Sequence, residues 1–255
     1  MITRNELQDF ARLKGLGFGN AEKDYLIDVA LLSISRNTKN ELVFKGGTCL
    51  YKFYKLNRFS EDIDFSAVAE LDMDLLIGNV LSDFKKFGMK ASVHQKKEPY
   101  DSVLLKLRVE GPLYSGNPAS YASVGIDINK VSKVFLASQF LSYNPLYQEL
   151  SQISLLCMQP QEIFAEKVRA MMTRLRARDL FDLHFLLQSG VWADAALIKG
   201  KMEYYGAGFE LKELIARLSR FKDLWEKELG GFTVSLPPFE SVRKHVAEKL
   251  KELYS

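Results

Sequence analysis

The sequence predicts an α/β (α+β) protein in two lobes: an N-terminal mixed sheet flanked by helices, then a helical C-terminal lobe. Three observations carry that expectation. Short β-branched runs alternate with helical ones up to about residue 154. After Pro160 only helical periodicity remains. Between two strand-like runs lies Gly111-Pro112-Leu113-Tyr114-Ser115-Gly116-Asn117-Pro118, a turn-rich stretch suited to join antiparallel strands. The expected lobes are residues 1–154 and 155–255.

Taken in chain order, Tyr25, Leu26, Ile27, Val29, Leu31, Leu32 and Ile34 recur at helical spacing and predict a helix ahead of the sheet. Leu42–Lys45 reads as a strand, Thr48 to Lys55 as a short helix and Ile63–Ser66 as a second strand. A helix over Leu71 to Phe87 follows, then strands over Ser102–Val109 and Ser123–Ile128. In the second lobe, Pro160 suits a first helical turn because its missing N–H would be unpaired there anyway. Helices are expected over Pro160–Arg176, Leu180–Gln188, Ala195–Tyr204, Leu211–Leu229 and Phe239–Leu253, broken by Gly190, Gly206-Ala207-Gly208, Gly230-Gly231 and Pro237-Pro238.

Composition narrows the function classes. With 255 residues, 47% of them hydrophobic and 26% charged, the chain is neither disordered nor fibrous. No run approaches the roughly 20 apolar residues that span a bilayer, and the opening Met1-Ile2-Thr3-Arg4-Asn5-Glu6 lacks the apolar stretch of a signal peptide. A cytoplasmic protein with no membrane partner is expected, and a monomer by default. Cys49 and Cys157 are the two cysteines, too few for a disulfide framework and without zinc spacing, so both should be buried thiols. A net charge of +3 points only weakly to an anionic partner.

The chemistry concentrates in Phe44-Lys45-Gly46-Gly47-Thr48 and Arg58-Phe59-Ser60-Glu61-Asp62-Ile63-Asp64-Phe65. A strand that ends in two glycines and a hydroxyl residue at a helix start lets main-chain N–H groups approach a phosphate, with the helix dipole favouring the anion. Asp62 and Asp64, two apart on a strand, project to one face, where hard carboxylates can hold a hydrated divalent ion. Each half alone is a common turn or a solvated edge. Together they are more specific, because the fourteen residues between Gly47 and Asp62 fit one short helix and a return to a neighbouring strand. Asp127 adds a third carboxylate in the apolar run Val124-Gly125-Ile126-Asp127-Ile128, an expensive placement unless the group is paired or bound to metal. Lys45 and Arg58 flank the expected phosphate position, although a bridge from Arg58 to Glu61 would explain the arginine equally well.

Gly47-Thr48 followed by Asp62-Ile63-Asp64 resembles the signature of the polymerase-β-type nucleotidyltransferase superfamily. More narrowly, Val43 to Leu50 together with Arg58 to Phe65 resembles the AbiEii/AbiGii toxin family. Ala21-Glu22-Lys23-Asp24-Tyr25 is similar to that family's opening helix, and Glu162 to Leu187 to its C-terminal motifs. The resemblance covers about residues 20–190 and implies a bilobed nucleotidyltransferase fold, a toxin whose antitoxin is a separate regulator, and a Mg²⁺ or Mn²⁺ cofactor. It implies phosphate binding at Gly47 and Thr48 and metal binding by Asp62, Asp64 and Asp127; Lys45, Gly46, Arg58 and Ser60 are the further nucleotide-binding candidates around them. Lys167 and Asp182 would complete the catalytic set from the helical lobe, facing the same cleft. Related toxins extend the 3′ end of tRNA, so transfer of a nucleoside monophosphate from a triphosphate to tRNA is the implied reaction. The family's usual Gly-Ser is Gly-Thr here, which keeps the hydroxyl.

From Lys167 to Arg178 the chain carries five positive charges and no acid in twelve residues. On one continuous helix Lys167, Arg174 and Arg178 would share a face, and Arg174, Arg176 and Arg178 become candidates for an RNA backbone. Lys167 is expected to reach from a half-buried face toward the substrate, with Asp182 serving substrate and Asp179 structure. Two rivals stay open: transfer to a protein or a small molecule, and a non-catalytic module that binds nucleotide, RNA or antitoxin.

Overall fold

The computed structural model describes residues 1–99 and 101–254, which form two compact units. The first comprises Met1–Lys55, Phe59–Val134 and Ser138–Met158. Helix α1 (Arg4–Lys14) opens on a capping box, in which Thr3 and Glu6 each accept a main-chain N–H of the other, and closes on Gly15 in the left-handed region (φ 63°). Sequence periodicity did not predict this helix, although Thr3-x-x-Glu6 is its start signal. Helix α2 (Phe18–Asn37) is buried on nearly every side from Ala21 to Ile34, which explains why it carries an apolar run rather than a stripe.

Burial on all sides obliges α2 to neutralise Asp24 and Asp28, one turn apart. Helix α3 (Gly46–Phe53) answers with Lys52, whose Nζ lies 2.7 Å from Asp24 and 2.6 Å from Asp28. Lys14 and the Tyr147 hydroxyl also donate to Asp24, the tyrosine at 2.8 Å. Burial works to raise the Asp24 carboxyl, but Lys52 and Lys14 overcome it and hold the group below the usual carboxylate range. Asp28, with fewer partners, is pushed up by burial.

The sheet contains β1 (Leu42–Lys45), β2 (Asp62–Ala67), β3 (Ala91–Lys97), β4 (Ser102–Val109), β5 (Ala122–Asn129), β6 (Gln139–Tyr143) and β7 (Ile153–Cys157), in the order β3-β4-β5-β2-β1-β7-β6. It is mixed: β2 runs parallel to β5 and β1 to β7, and the remaining neighbours are antiparallel. Alternation divides its two faces. Ile63, Phe65, Val103, Leu105, Leu107, Val109, Val124, Ile126 and Ile128 are buried on the side of α2 and α4 (Met73–Lys86). Asp62, Asp64, Asp127, Gly125, Leu104 and Lys106 occupy the opposite face. The two ends of the connection Gly111–Pro118 are antiparallel strands, as the turn residues predict. Cys49 and Cys157 are buried free thiols.

The second unit comprises Leu56–Arg58, Phe135–Ala137 and the chain from Gln159 onward. Its helices are α5 (Pro160–Thr173), α6 (Ala177–Gln188), α7 (Ala195–Tyr204), α8 (Leu211–Arg217), α9 (Lys222–Leu229) and α10 (Phe239–Tyr254). Phe164, Val168, Leu180, Leu183, Leu214, Phe221, Val242 and Val246 form its core. Of the predicted helices, one is divided and one is shortened. Leu211–Leu229 breaks at a 3₁₀ turn over Leu218–Phe221. Pro160–Arg176 ends at Thr173, since Arg174 (φ −140°, ψ 169°) and Arg176 (φ −138°, ψ 118°) are extended. Segment Phe135–Ala137 is held by Glu162, which accepts the N–H groups of Phe135 (2.7 Å) and Leu136 (2.8 Å) while pairing with the fully buried Lys201 at 2.7 Å. Among the described residues, no helix is long and apolar enough to cross a membrane.

Candidate active site

The acidic face is shaped by strand register. Lys45 pairs with Asp64, Asp64 with Asp127, and Asp62 with Gly125, so three carboxylates share one side of adjacent strands. Two glycines make the room. Gly46, where β1 becomes α3, has φ 75°, and a Cβ there would stand 2.5 Å from Asp64 Oδ2. Conformation and space therefore both require glycine. A Cβ at Gly125 would lie 3.1 Å from Asp62 Oδ1, so its absence keeps the ground beneath Asp62 open.

Thr48 takes a different part from the expected one. It is fully buried, and its hydroxyl donates to the main-chain carbonyl of Asp62. The bond ties the first turn of α3 to β2 at Asp62 and leaves the main-chain N–H groups of that turn as the candidates for a phosphate. Ser60 is buried just ahead of the acids. Lys45 Nζ donates to Ser132 Oγ at 3.2 Å and acts electrostatically on Asp127. Ser132 has no motif around it to mark it in the sequence, and Lys23, part of the opening-helix motif, has its Nζ 2.5 Å from Glu61 beside Asp62.

Asp62 is exposed, and Asp64 and Asp127 are half-buried. Burial raises the Asp127 pKa; Lys45 opposes the shift, and the charge of Asp62 adds to it. Among the described residues, Asp127 Oδ1 is a buried oxygen without a hydrogen-bond partner. These features suit a hard divalent cation such as Mg²⁺ or Mn²⁺, which Asp62, Asp64 and Asp127 would hold. Among the described residues no group of three or more His, Cys, Asp or Glu side chains is already gathered in metal-binding geometry. The fit therefore rests on the shared face, the hard oxygen donors and the partnerless Asp127 oxygen.

A raised carboxyl binds its proton more tightly in the folded chain than in the unfolded one. Without a cation, Asp127 thus costs stability once the pH rises through its folded pKa, above the ordinary range near 3.9. Asp127→Asn is expected to raise Tm at neutral pH in chelator and to shrink the Tm gain on adding Mg²⁺. Calorimetry with and without the ion reads both, and an unchanged Mg²⁺ response would remove Asp127 from the cation site.

The remaining predicted residues lie in the second unit, around a buried ion network. Arg58 donates twice to Asp182, Nε to Oδ1 at 2.7 Å and a terminal nitrogen to Oδ2 at 2.8 Å. Glu61, the partner considered for Arg58 from sequence, holds Lys23. Lys167 is buried, not reaching outward, with Nζ 3.0 Å from Asp179 and 2.7 Å from Asp182. Asp182, expected to serve substrate, is enclosed by these two cations. Asp179 also takes Arg174 at 2.9 Å, and Arg176 pairs with Glu228 at 3.2 Å. With α5 ending at Thr173, Lys167, Arg174 and Arg178 lie on no common helix face, and the stripe drawn for RNA from that face does not form.

Known proteins are similar to this chain in sequence family and in fold. A family model described as the nucleotidyl transferase AbiEii toxin of type IV toxin–antitoxin systems matches residues 30–251. The structure of MenT4, a nucleotidyltransferase toxin from Mycobacterium tuberculosis H37Rv, superposes with a TM-score of 0.74 at 21% identity, covering 100% of this chain and 91% of that one. JHP933 from Helicobacter pylori gives 0.56 at 21% identity, covering 94% and 93%. At such identities the likeness is one of fold. No curated protein matches by sequence. The family match spans most of the chain and takes in both the acidic face and the second unit's ion network, and the chain belongs to the AbiEii nucleotidyltransferase toxin family of type IV toxin–antitoxin systems.

Proposed function

We propose that the chain transfers a nucleoside monophosphate from a nucleoside triphosphate to the 3′ end of an RNA, with tRNA the foremost acceptor. The observation that carries the reading is the acidic face beside the Gly46 turn, with an Asp127 oxygen that lacks a partner. When bound at Asp62, Asp64 and Asp127, Mg²⁺ or Mn²⁺ supplies charge neutralisation at the triphosphate. The chain's own groups do the rest. Main-chain N–H groups at Gly46 and Gly47 hold outer phosphate oxygens, with Lys45 adding positive charge. Asp127, made more basic by its burial, accepts the proton of the attacking 3′-hydroxyl. That oxygen bonds to the α-phosphorus, the α–β anhydride bond breaks, and pyrophosphate departs. Lys167 and Asp182 belong to the proposal as the second unit's charged pair, with Asp182 holding the lysine protonated. The chain would act in the cytoplasm as a monomer, restrained by a separate antitoxin.

The test is incubation of the purified protein with Mg²⁺, total RNA and each α-labelled nucleoside triphosphate in turn. Label is expected in RNA of tRNA size, and chelator should abolish it. Label in the protein or in a small molecule would replace the acceptor, and nucleotide binding without turnover would replace the reaction.

A further inference from the structure

The acidic face does not stop at Asp127. Side chains at every second position of β5 project to the same side, so Asp127, Gly125, Ser123 and, just before the strand, Tyr121 form one row. Register places Leu104, Lys106 and Arg108 of β4 opposite Asp127, Gly125 and Ser123. On β3, Lys97, Gln95 and Ser92 stand opposite these in turn. The reverse side of β4 and β5 is buried, whereas Lys106, Gln95, Ser92 and Lys97 are exposed and Leu104 is 37% exposed. The carboxylates thus open onto a bare sheet face.

That face ends in an ordered aromatic group. The Arg108 guanidinium lies over the Tyr121 ring, 5.1 Å from its centroid, and Tyr121 packs on Tyr114 with centroids 4.8 Å apart and planes tilted by 32°. The loop bearing Tyr114 is pinned to α2. Glu22 accepts the Leu113 N–H at 2.6 Å, and a Cβ on Gly111 would stand 2.7 Å from the same carboxylate oxygen. Lysines on an edge strand guard against strand pairing, which accounts for those of β3. Lys106 is on an interior strand, where no such guard is needed, and it is exposed between the acids and the tyrosines.

Basic side chains leading to stacked aromatic rings suit a single-stranded nucleic acid, whose phosphates meet the cations while unpaired bases stack on rings and guanidinium planes. From Asp127 to Tyr121 the row spans about 20 Å at strand spacing, longer than one nucleotide. The triphosphate donor alone would not occupy it. We propose that this face seats the acceptor: a single-stranded RNA 3′ segment runs from Tyr121 and Tyr114 past Arg108 and Lys106 and delivers its terminal hydroxyl to Asp127. The proposal rests on the RNA-acceptor reading above and adds the residues that bind the strand.

Fluorescence anisotropy with a labelled single-stranded oligoribonucleotide, without nucleotide, tests it apart from chemistry. Lys106→Glu and Tyr121→Ala are each expected to weaken binding about tenfold or more. Lys106→Glu should also lower the salt dependence by about one counterion. Tyr121→Phe should retain affinity, a duplex of the same sequence should bind weakly, and calorimetric binding of the triphosphate in Mg²⁺ should be unaltered in all three variants. Wild-type affinity in both Lys106→Glu and Tyr121→Ala, or equal binding of the duplex, would overturn the proposal. If wild type labels RNA while these variants bind it unimpaired, only the placement of the strand fails. If wild type neither binds nor labels RNA, the acceptor reading fails and this proposal with it.

Discussion

Alanine at Asp62 or Asp64 is expected to lower nucleotidyl transfer by about a thousandfold or more in a protein that still folds. Loss of a cation ligand forfeits several kcal/mol of charge stabilisation at the reacting phosphate, and each 1.36 kcal/mol is tenfold in rate. Folding should survive because Asp62 is exposed and Asp64 half-buried, and the charge of Asp62 works against ionisation of Asp127. The two variants differ in a second readout. The charge of Asp62 helps to raise Asp127, so Asp62→Ala should lower the Asp127 pKa and move the acid limb of the residual pH–rate profile downward. Steady-state rates across pH, with Tm as the folding control, measure both effects. Transfer at the wild-type rate in either variant would detach the acidic face from the reaction.

The acidic face was legible because its information is local. A glycine pair at a strand end, a short helix and alternating carboxylates lie within twenty-one residues, Lys45 to Phe65, and strand alternation alone puts Asp62 and Asp64 on one side. Strands β1, β2, β4 and β5 were visible in their β-branched runs. Strand β3 was not, since Ser92, His94, Gln95, Lys96 and Lys97 give no apolar alternation on an edge exposed to solvent. Exposure of Gln139 and Phe140 hid β6 in the same way. The ion network was illegible for another reason. Arg58 and Asp182 are 124 residues apart, and nothing near either one names the other. The break after Thr173 has no glycine or proline to announce it; Arg174 leaves the helix and bonds Asp179. A basic run read as one helix face is thereby divided: Lys167 is buried against Asp179 and Asp182, the exposed Arg174 reaches back to Asp179, and Arg176 pairs with Glu228.

That network makes Asp182 a position of large consequence for stability. Arg58, Lys167 and Asp182 are all buried, and Asp182 receives the guanidinium on both oxygens and the ammonium on one. Asp182→Ala would take from Arg58 and Lys167, both buried, the carboxylate they have in common, and breaking such a pair costs about 3–5 kcal/mol, a large part of the stability of an ordinary domain. The companion change should relieve it: Arg58→Ala combined with Asp182→Ala is expected to cost clearly less than the two single losses added, as urea unfolding of the four proteins would measure. Additive losses would mean that the two groups do not interact. The pH dependence has a definite sign. Burial works to raise Asp182 and Asp179, but Arg58 and Lys167 for the first, and Lys167 and Arg174 for the second, hold both below the usual carboxylate range, Asp179 at about 2. Groups depressed in the folded state contribute stability above their unfolded pKa of about 4 and lose it as pH falls through the folded values. Lys167 is raised despite its burial by Asp182 and Asp179, so its contribution is present below about 10.4 and disappears as pH rises further. Wild type should therefore lose stability steeply below about pH 4 and again above about pH 10. Asp182→Ala, with the network already broken, should begin lower and decline less at both ends.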